Sequence, residues 1–153
     1  MSFASPSIEL IGSVRSENDV LFRDLRLVIR ANRWTCLLGS SGIGKSTVLR
    51  LIAGLPTHVK LDGSIKSDDQ LSLSNRVSYM AQNDLLLPWA SVSDNITLGS
   101  KLRGRKHSSE KKLEIIKKVG LIQHKEKYPF QLSGGQRQRT ALARTLMENT
   151  PIV

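Results

Sequence analysis

The sequence predicts an α/β fold, and three observations support it. Short apolar runs typical of strands lie at Ile8–Gly12, Leu25–Ile29 and Trp34–Leu38. A glycine-rich loop follows the third run directly, and a segment with helical spacing of apolar residues follows that loop. The length of 153 residues suffices for one domain with a core, but not for two full ones.

The third apolar run is the most informative of the three. Trp34–Leu38 is nearly all apolar, which is typical of a strand buried on both faces and therefore of a central parallel strand. The only cysteine, Cys36, lies in this run and is expected to be a buried, unreactive thiol. A single cysteine excludes an internal disulfide framework and fits a reducing compartment.

The loop continues into a predicted helix at Lys45–Ala53, ended by Gly54 and Pro56. Its expected core face consists of Val48, Leu49, Ile52 and Ala53. The stretch "VKLDG" at Val59–Gly63 has the composition of a hairpin turn, and a further strand is predicted at Arg76–Gln82.

After that strand, an irregular loop leads into short helical segments that extend to about Leu132. Much of the net charge of +10 lies between Lys101 and Lys118. Apolar residues recur there at helical spacing, at Leu113, Ile116 and Val119, with an i,i+4 pair of Glu114 and Lys118 and a stop at Gly120. Because no aromatic residues interleave with the charges, this pattern favours a solvated helix face over a nucleic-acid patch.

The composition excludes several classes of protein. No apolar run approaches a membrane span, and the first residues lack the pattern of a signal peptide. Cysteine and histidine do not cluster at the spacing of a structural zinc site.

The glycine-rich loop carries the strongest chemical signal. Its residues are Gly39, Ser40, Ser41, Gly42, Ile43, Gly44, Lys45, Ser46 and Thr47. Glycines at this spacing let successive backbone amides point inward and cradle phosphates at a helix N-terminus. Lys45 can then reach the β- and γ-phosphates, and the Ser46 hydroxyl can ligate Mg²⁺. The loop predicts a nucleotide site.

A second feature of the same kind is "LSGGQRQR", at Leu132–Arg139. Ser133 and Gln136 have the spacing of a capping box that opens a helix, with Ala141, Leu142, Thr145 and Leu146 expected on one side. Gly134 and Gly135 lie in the first turn, where each glycine costs about 0.5–1 kcal/mol relative to alanine. Backbone amides left open to an approaching anion would explain that choice.

These motifs, in this order and with "SYMAQND" between them, resemble the nucleotide-binding subunit of ATP-binding cassette (ABC) transporters, from Ile8 to Val153. The resemblance implies an incomplete P-loop NTPase core with an N-terminal antiparallel β region and an inserted α-helical subdomain. The implied parts are residues 1–82 (β region and core), 83–132 (helical subdomain) and 133–153 (signature helix and start of the next core strand).

The resemblance also implies roles for residues. ATP and Mg²⁺ would bind at the loop, and Gln82 would help to position Mg²⁺ and link the site to membrane subunits. The signature residues Ser133, Gly134, Gly135 and Gln136 would contact ATP held by a second subunit, in a head-to-tail dimer. The implied partners are transmembrane permease subunits and a periplasmic or surface substrate-binding protein, at the cytoplasmic face of the inner membrane.

A finer resemblance lies in Leu87–Trp89, "LPW", which is similar to importers for nitrate, sulfonates, taurine and thiamine precursors. Trp89 is then expected to anchor a coupling helix of the membrane subunit. Alternatively, it is an exposed loop aromatic that stabilises its own turn.

The sequence departs from the family pattern in two places. "GSVRSENDV" lacks the aromatic residue that stacks on adenine in the family, and Phe22 lies outside that stretch. The Walker B aspartate, the catalytic glutamate and the switch histidine are also missing, because the sequence ends at Pro151–Val153, which resembles the beginning of the Walker B strand. The chain is therefore expected to be an N-terminal fragment of a longer subunit.

Two other interpretations stay open from the sequence alone. One is a soluble ABC-type ATPase that acts on nucleic acid or ribosomes, which the net charge favours and the short spacing between the two phosphate motifs opposes. The other is a regulatory fragment without catalysis.

We expect the 153-residue chain to hydrolyse ATP negligibly, because it lacks the metal-binding aspartate and the general base. Phosphate release by the purified chain is the measurement. Turnover comparable to that of a full-length relative, abolished by Lys45→Ala, would contradict this expectation.

Overall fold

The computed structural model describes residues 5–17 and 19–153. The chain divides into two compact units. The first comprises the chain up to Tyr79 together with Thr150–Ile152, and the second comprises Met80–Asn149 and Val153. The α/β class is confirmed, whereas the three-part domain division drawn from the sequence stays a prediction.

The first unit contains a three-stranded antiparallel sheet. Its strands are β1 (Ile8–Arg15), β2 (Val20–Ile29) and β3 (Lys60–Ser67), in the order β2-β1-β3. Alternate residues of β1, namely Ile8, Leu10 and Val14, are buried because successive side chains of a strand point to opposite faces. The two early strands are therefore confirmed, and β2 begins five residues earlier than its apolar run.

β3 corrects the prediction of a hairpin turn at Val59–Gly63. Gly63 pairs with Gly12 of β1, and a Cβ atom on Gly12 would lie 2.3 Å from the Asp62 carbonyl oxygen. The two backbones therefore approach more closely than side chains permit. The glycine that resembled a turn residue permits this contact within a strand.

The predicted central strand at Trp34–Leu38 is wrong. The described residues place no strand there, and Trp34 and Leu38 are 99% and 89% exposed. Cys36 is exposed as well, which corrects the expectation of a buried thiol. A parallel strand is held by hydrogen bonds to neighbours, and within the described ranges no segment pairs with these residues.

The predicted strand at Arg76–Gln82 is reduced to one parallel bridge, between Val77 and Ile152. The Ser78 amide donates to the Ile152 carbonyl at 2.9 Å, and the Ile152 amide donates to the Arg76 carbonyl at 3.2 Å. The terminal segment thus runs parallel to the segment that precedes Tyr79.

Helix α1 (Lys45–Ile52) packs on the sheet and confirms the predicted helix. Val48 and Ile52 join Ile8 and Leu10 in the core of the first unit, whereas Leu49, expected on the same face, is 44% exposed. Gly54, with φ +65°, ends the helix: its amide donates to the Leu51 carbonyl, while the Leu55 amide donates to Arg50. These paired bonds are the Schellman motif.

The second unit is helical. It contains α2 (Val92–Ile96), α3 (Leu98–Leu102), α4 (Ser109–Lys118) and α5 (Gly134–Met147), with 3₁₀ turns at Ile122–His124 and Pro129–Gln131. Its buried core comprises Val92, Ile96, Ile115, Ile116, Val119, Leu121, Leu132, Ala143 and Met147. None of the helices described is long and apolar enough to cross a membrane.

The ends of α4 match the sequence pattern, whereas its core face differs in part. Glu114 and Lys118 form the expected ion pair at 2.6 Å, and Gly120, with φ +68°, follows the helix in a Schellman arrangement. Ile115 is buried on this helix in place of Leu113, which is 37% exposed.

The buried face of α5 is also rotated from the predicted one. Thr140, Ala141, Ala143, Thr145 and Met147 are buried, whereas Leu142 and Leu146 are more than a third exposed. The two threonine hydroxyls are satisfied inside the helix, since Thr140 donates to the Gln136 carbonyl and Thr145 to the Ala141 carbonyl. Small residues on this face let α2 pack against α5.

Replacing Gly12 with alanine should destabilise the first unit, because the new Cβ would overlap the Asp62 carbonyl and because φ +142° suits L residues poorly. We expect the free energy of unfolding in urea, followed by circular dichroism, to fall by about 1–3 kcal/mol. Gly135→Ala is the matched control, since a Cβ there meets nothing within 4 Å. It should leave stability unchanged or raise it by up to about 1 kcal/mol. Equal losses in both variants would contradict the role assigned to the close approach.

Candidate functional site

The glycine-rich loop of the first unit leads into α1 without a side-chain cap. Gly42 and Gly44 have φ values of +81° and +98°, which L side chains rarely adopt. Gly44 is the N-cap residue of α1 and supplies no side-chain cap, and the first turn of the helix contains no acidic residue. The positive end of the helix dipole therefore faces the loop without a compensating carboxylate.

The Phe22 ring of β2 supports this loop. A Cβ atom on Gly44 would lie 2.9 Å from Cε2 of Phe22, so the ring packs directly against the glycine backbone. The same ring packs against the hydrophobic core of the first unit. Phe22 therefore connects the sheet to the loop.

Lys45 is folded back over the loop. Its Nζ donates to the carbonyl oxygens of Gly39 at 2.8 Å and Ser40 at 2.7 Å. These two bonds hold the ammonium group against the first two residues of the loop. Ser46 is exposed, whereas the next residue, Thr47, is half-buried. The arrangement places a cation, a hydroxyl and backbone donors within one short segment, a set of groups suited to phosphate.

In the second unit, α5 begins with the predicted capping box. The Ser133 Oγ accepts from the Gln136 amide at 3.3 Å, and the Gln136 Oε1 accepts from the Ser133 amide at 2.8 Å. The two predicted halves of the capping box, at Ser133 and at Gln136, are therefore confirmed.

The two glycines after the cap are not required by the packing of this chain. Gly134 and Gly135 are exposed and lack positive φ values. A Cβ on Gly135 would meet nothing within 4 Å, and one on Gly134 would approach only Arg137, at 3.9 Å. Glycine at these positions leaves the backbone amides of the first helical turn exposed.

Three side chains of α5 hold the loop that begins at Gln82. Gln138 donates to the Gln82 carbonyl at 3.0 Å, and the Arg137 guanidinium pairs with Asp84 at 3.1 Å. Arg144 donates to the carbonyls of Asp84, at 2.7 Å, and Leu85, at 2.8 Å. The exposed Gln82 side chain thus projects from a segment whose backbone is fixed to the signature helix.

Arg144 binds this loop at a strained position. Leu85 has φ +47°, an unfavourable region for a residue with a branched side chain. Arg144 is partly buried where it donates to the Leu85 carbonyl. That burial lowers the pKa of Arg144, which the nearby Asp84 carboxylate partly offsets. The guanidinium stays charged because its ordinary pKa is far above neutrality.

The loop that follows is fixed by Asn95, which is fully buried in α2. Its Oδ1 accepts from the Leu87 amide at 2.8 Å, and its Nδ2 donates to the carbonyls of Leu87, Ala90 and Ser91. Trp89 projects from this fixed loop and is 74% exposed.

Sequence reasoning missed the residues that organise these loops, namely Asp84, Asn95, Arg137, Gln138 and Arg144. The available signal was that Asn95 in "VSDNI" lies three residues after Val92 and directly before Ile96, on the apolar face of the helix. The arginines of α5 gave no comparable signal, because a basic helix face is ordinarily solvated.

The comparisons with known proteins agree with these motifs. Residues 22–153 match the family model described as ABC transporter. An uncharacterized ABC transporter ATP-binding protein of Haemophilus influenzae is 42% identical over 143 residues, which are 92% of this chain and 58% of that protein. The aliphatic sulfonates import ATP-binding protein SsuB 1 of Rhodococcus jostii is 39% identical over 149 residues, or 95% of this chain and 57% of that protein.

The aliphatic sulfonates import ATP-binding protein SsuB of Yersinia pestis is 41% identical over 143 residues, which are 92% of this chain and 50% of that protein. The chain thus spans at most 58% of the length of these three relatives. The matches confirm the family resemblance drawn from the motifs.

We expect Arg144→Met to loosen the loop after Gln82, because the carbonyls of Asp84 and Leu85 lose a charged donor. Hydrogen bonds to charged groups contribute about 1.5–3 kcal/mol, so amide exchange at Leu86 and Leu87 should accelerate by roughly 10–100-fold. NMR-detected hydrogen exchange measures this. Arg139→Met is the control on the same helix, since Arg139 donates to the Val119 and Gly135 carbonyls instead. Equal acceleration in both variants would count against a specific role of Arg144.

Proposed function

The chain belongs to the ABC transporter family, and on that premise we propose that it is the ATP-binding portion of an importer's nucleotide-binding subunit. The observation that carries this proposal is the loop at Gly39–Thr47. Lys45 and the N-terminus of α1 converge there without a carboxylate in the first helical turn. A nucleotide triphosphate has the negative charge that such a site favours.

ATP would enter by replacing the internal bonds of the loop. The Lys45 ammonium exchanges the Gly39 and Ser40 carbonyls for β- and γ-phosphate oxygens, a stronger charge-assisted interaction. The amides around Gly42 and Gly44 then donate to the phosphates. Gly42 and Gly44 already have positive φ values, which allow successive amides of the loop to point to one side.

Mg²⁺ would be held by oxygen ligands, which this hard cation prefers. The exposed Ser46 hydroxyl fits that preference. The side-chain oxygen of Gln82 is assigned to the same ion only by the family resemblance. When bound, the metal neutralises charge that develops on the phosphates. Lys45 and Gln82 are the residues of this chain that we assign to catalysis in the complete protein.

The signature residues Ser133, Gly134 and Gly135 would complete the site of a second copy. Because the Ser133 Oγ already accepts from the Gln136 amide, its hydroxyl proton is available for a phosphate oxygen. The exposed amides of the two glycines add backbone donors. Two subunits in a head-to-tail dimer would thus enclose two ATP molecules, each between one loop and one signature helix.

The proposed partners are permease subunits and a substrate-binding protein, with the ATPase at the cytoplasmic face of the inner membrane. Trp89 would anchor a permease helix, because the bonds of Asn95 fix its loop while the indole stays exposed. Two of the relatives above are named as aliphatic sulfonate importers, so we propose a small anionic solute of that kind as the cargo. These importer relatives do not favour the alternative of a soluble ATPase acting on nucleic acid.

Lys45→Ala should weaken binding of a fluorescent ATP analogue, measured by titration with Mg²⁺ present. Loss of charged hydrogen bonds worth about 1.5–3 kcal/mol predicts a dissociation constant roughly 10–100-fold higher. Lys66→Ala is the control, because Lys66 is an exposed lysine of β3 in the same unit. Unchanged affinity in Lys45→Ala would overturn the proposed site.

Gly135→Ala tests the composite site between two copies separately from the phosphate-binding loop at Gly39–Thr47. In the complete protein it should leave ATP binding by the isolated subunit unchanged and abolish ATP-dependent dimerisation, measured by light scattering. The added methyl group would occupy the surface on which the partner's phosphate lies. Dimerisation equal to that of the unmodified protein would disprove the composite site while leaving the loop assignment intact.

A further inference from the structure

The Gln136 side chain is bonded at both ends of its amide. Its Oε1 accepts from the Ser133 backbone amide at 2.8 Å, and its Nε2 lies 3.0 Å from the Nε2 of His124. His124 ends the 3₁₀ turn Ile122–His124, and its own amide donates to the Leu121 carbonyl at 2.8 Å. The imidazole is therefore presented to the signature helix by a hydrogen-bonded turn.

The cap fixes which way the Gln136 amide faces. The Ser133 N–H is a donor and needs an acceptor, so the carbonyl oxygen of Gln136 must point towards it. The NH₂ group then faces His124. The His124 Nε2 must offer a lone pair, because a proton on it would place two donors against each other at 3.0 Å.

The tautomer of His124 follows from this geometry. A neutral imidazole has one N–H, and with Nε2 as the acceptor the proton is on Nδ1. Nδ1 is buried, and none of the described residues is its hydrogen-bond partner. The fold therefore leaves one imidazole nitrogen unpaired while the other bonds to Gln136.

We propose that His124, as the neutral Nδ1–H tautomer, is a positioning residue for the signature helix. Its lone pair holds the Gln136 amide in the orientation that caps Ser133, which fixes the first turn of α5 at Gly134 and Gly135. Gln136 acts on the nucleotide through this cap, because both ends of its side-chain amide are already bonded. The link to ATP rests on the function proposed above, whereas the hydrogen bonds themselves do not.

The first test is the tautomer, read from imidazole ¹⁵N chemical shifts at pH 8 in the 153-residue chain. The chain has three histidines, so the His124 signals are assigned by their loss in His124→Gln. We expect His124 to carry its proton on Nδ1, while the exposed His58 shows the mixture of a free imidazole. Gln136→Ala should return His124 to that mixture. A proton on Nε2 of His124 in the unmodified chain would overturn the proposal.

The second test compares two substitutions at His124. His124→Phe keeps the ring and removes the acceptor, whereas His124→Gln offers a side-chain oxygen near the position of Nε2. Loss of one hydrogen bond, worth about 0.5–1.5 kcal/mol, should accelerate exchange of the Ser133 amide by roughly 2–10-fold in His124→Phe. His124→Gln should restore exchange to within about 2-fold.

The internal control is the Lys111 amide, which donates to the Ser108 Oγ at the N-terminus of α4. It should exchange equally in all variants if the effect is confined to the signature helix. Unaltered Ser133 exchange in His124→Phe, or equal acceleration of Ser133 and Lys111, would refute the positioning role. Neither test contains nucleotide, so failure of ATP binding would leave this inference standing.

Discussion

Both candidate phosphate-binding segments depend on one constraint: the first amides of an α-helix have no partner inside the helix. In most helices a side-chain cap accepts from some of these amides, and acidic residues lie nearby. Helices α1 and α5 both lack acidic residues in the first turn, and α1 also lacks a side-chain cap. In α5 the cap satisfies one amide of the helix and leaves the glycine amides open. Both helices therefore offer unpaired donors to an anion.

Helix α5 also organises the second unit around this opening. Its first turn is fixed through Gln136, its next residues hold Asp84 and the Gln82 carbonyl, and Arg144 reaches the strained Leu85. The loop that begins at Gln82 is therefore bonded to the same helix whose first turn contains the signature glycines.

Local sequence patterns predicted the local structure well. The capping box at Ser133, the glycine stops at Gly54 and Gly120, and the ion pair of Glu114 with Lys118 each depend on residues within a few positions of each other. The predicted strand at Trp34–Leu38 depends instead on neighbouring strands, which the described residues do not supply. β3 was missed because its glycine serves a contact with Gly12, 51 positions away in the sequence, and turn statistics contain no information about such a contact. The bonds of Arg144 to the loop were beyond sequence reasoning for the same reason, since they join residues about 60 positions apart.

The exposure of Cys36 has a practical consequence for work on this chain. It is the sole thiol in the sequence and lies three residues before Gly39. A maleimide fluorophore or spin label would therefore attach at one position, adjacent to the phosphate-binding loop, without prior mutagenesis. The same accessibility permits two chains to become joined by a disulfide during storage in air, so a reducing agent belongs in the buffer.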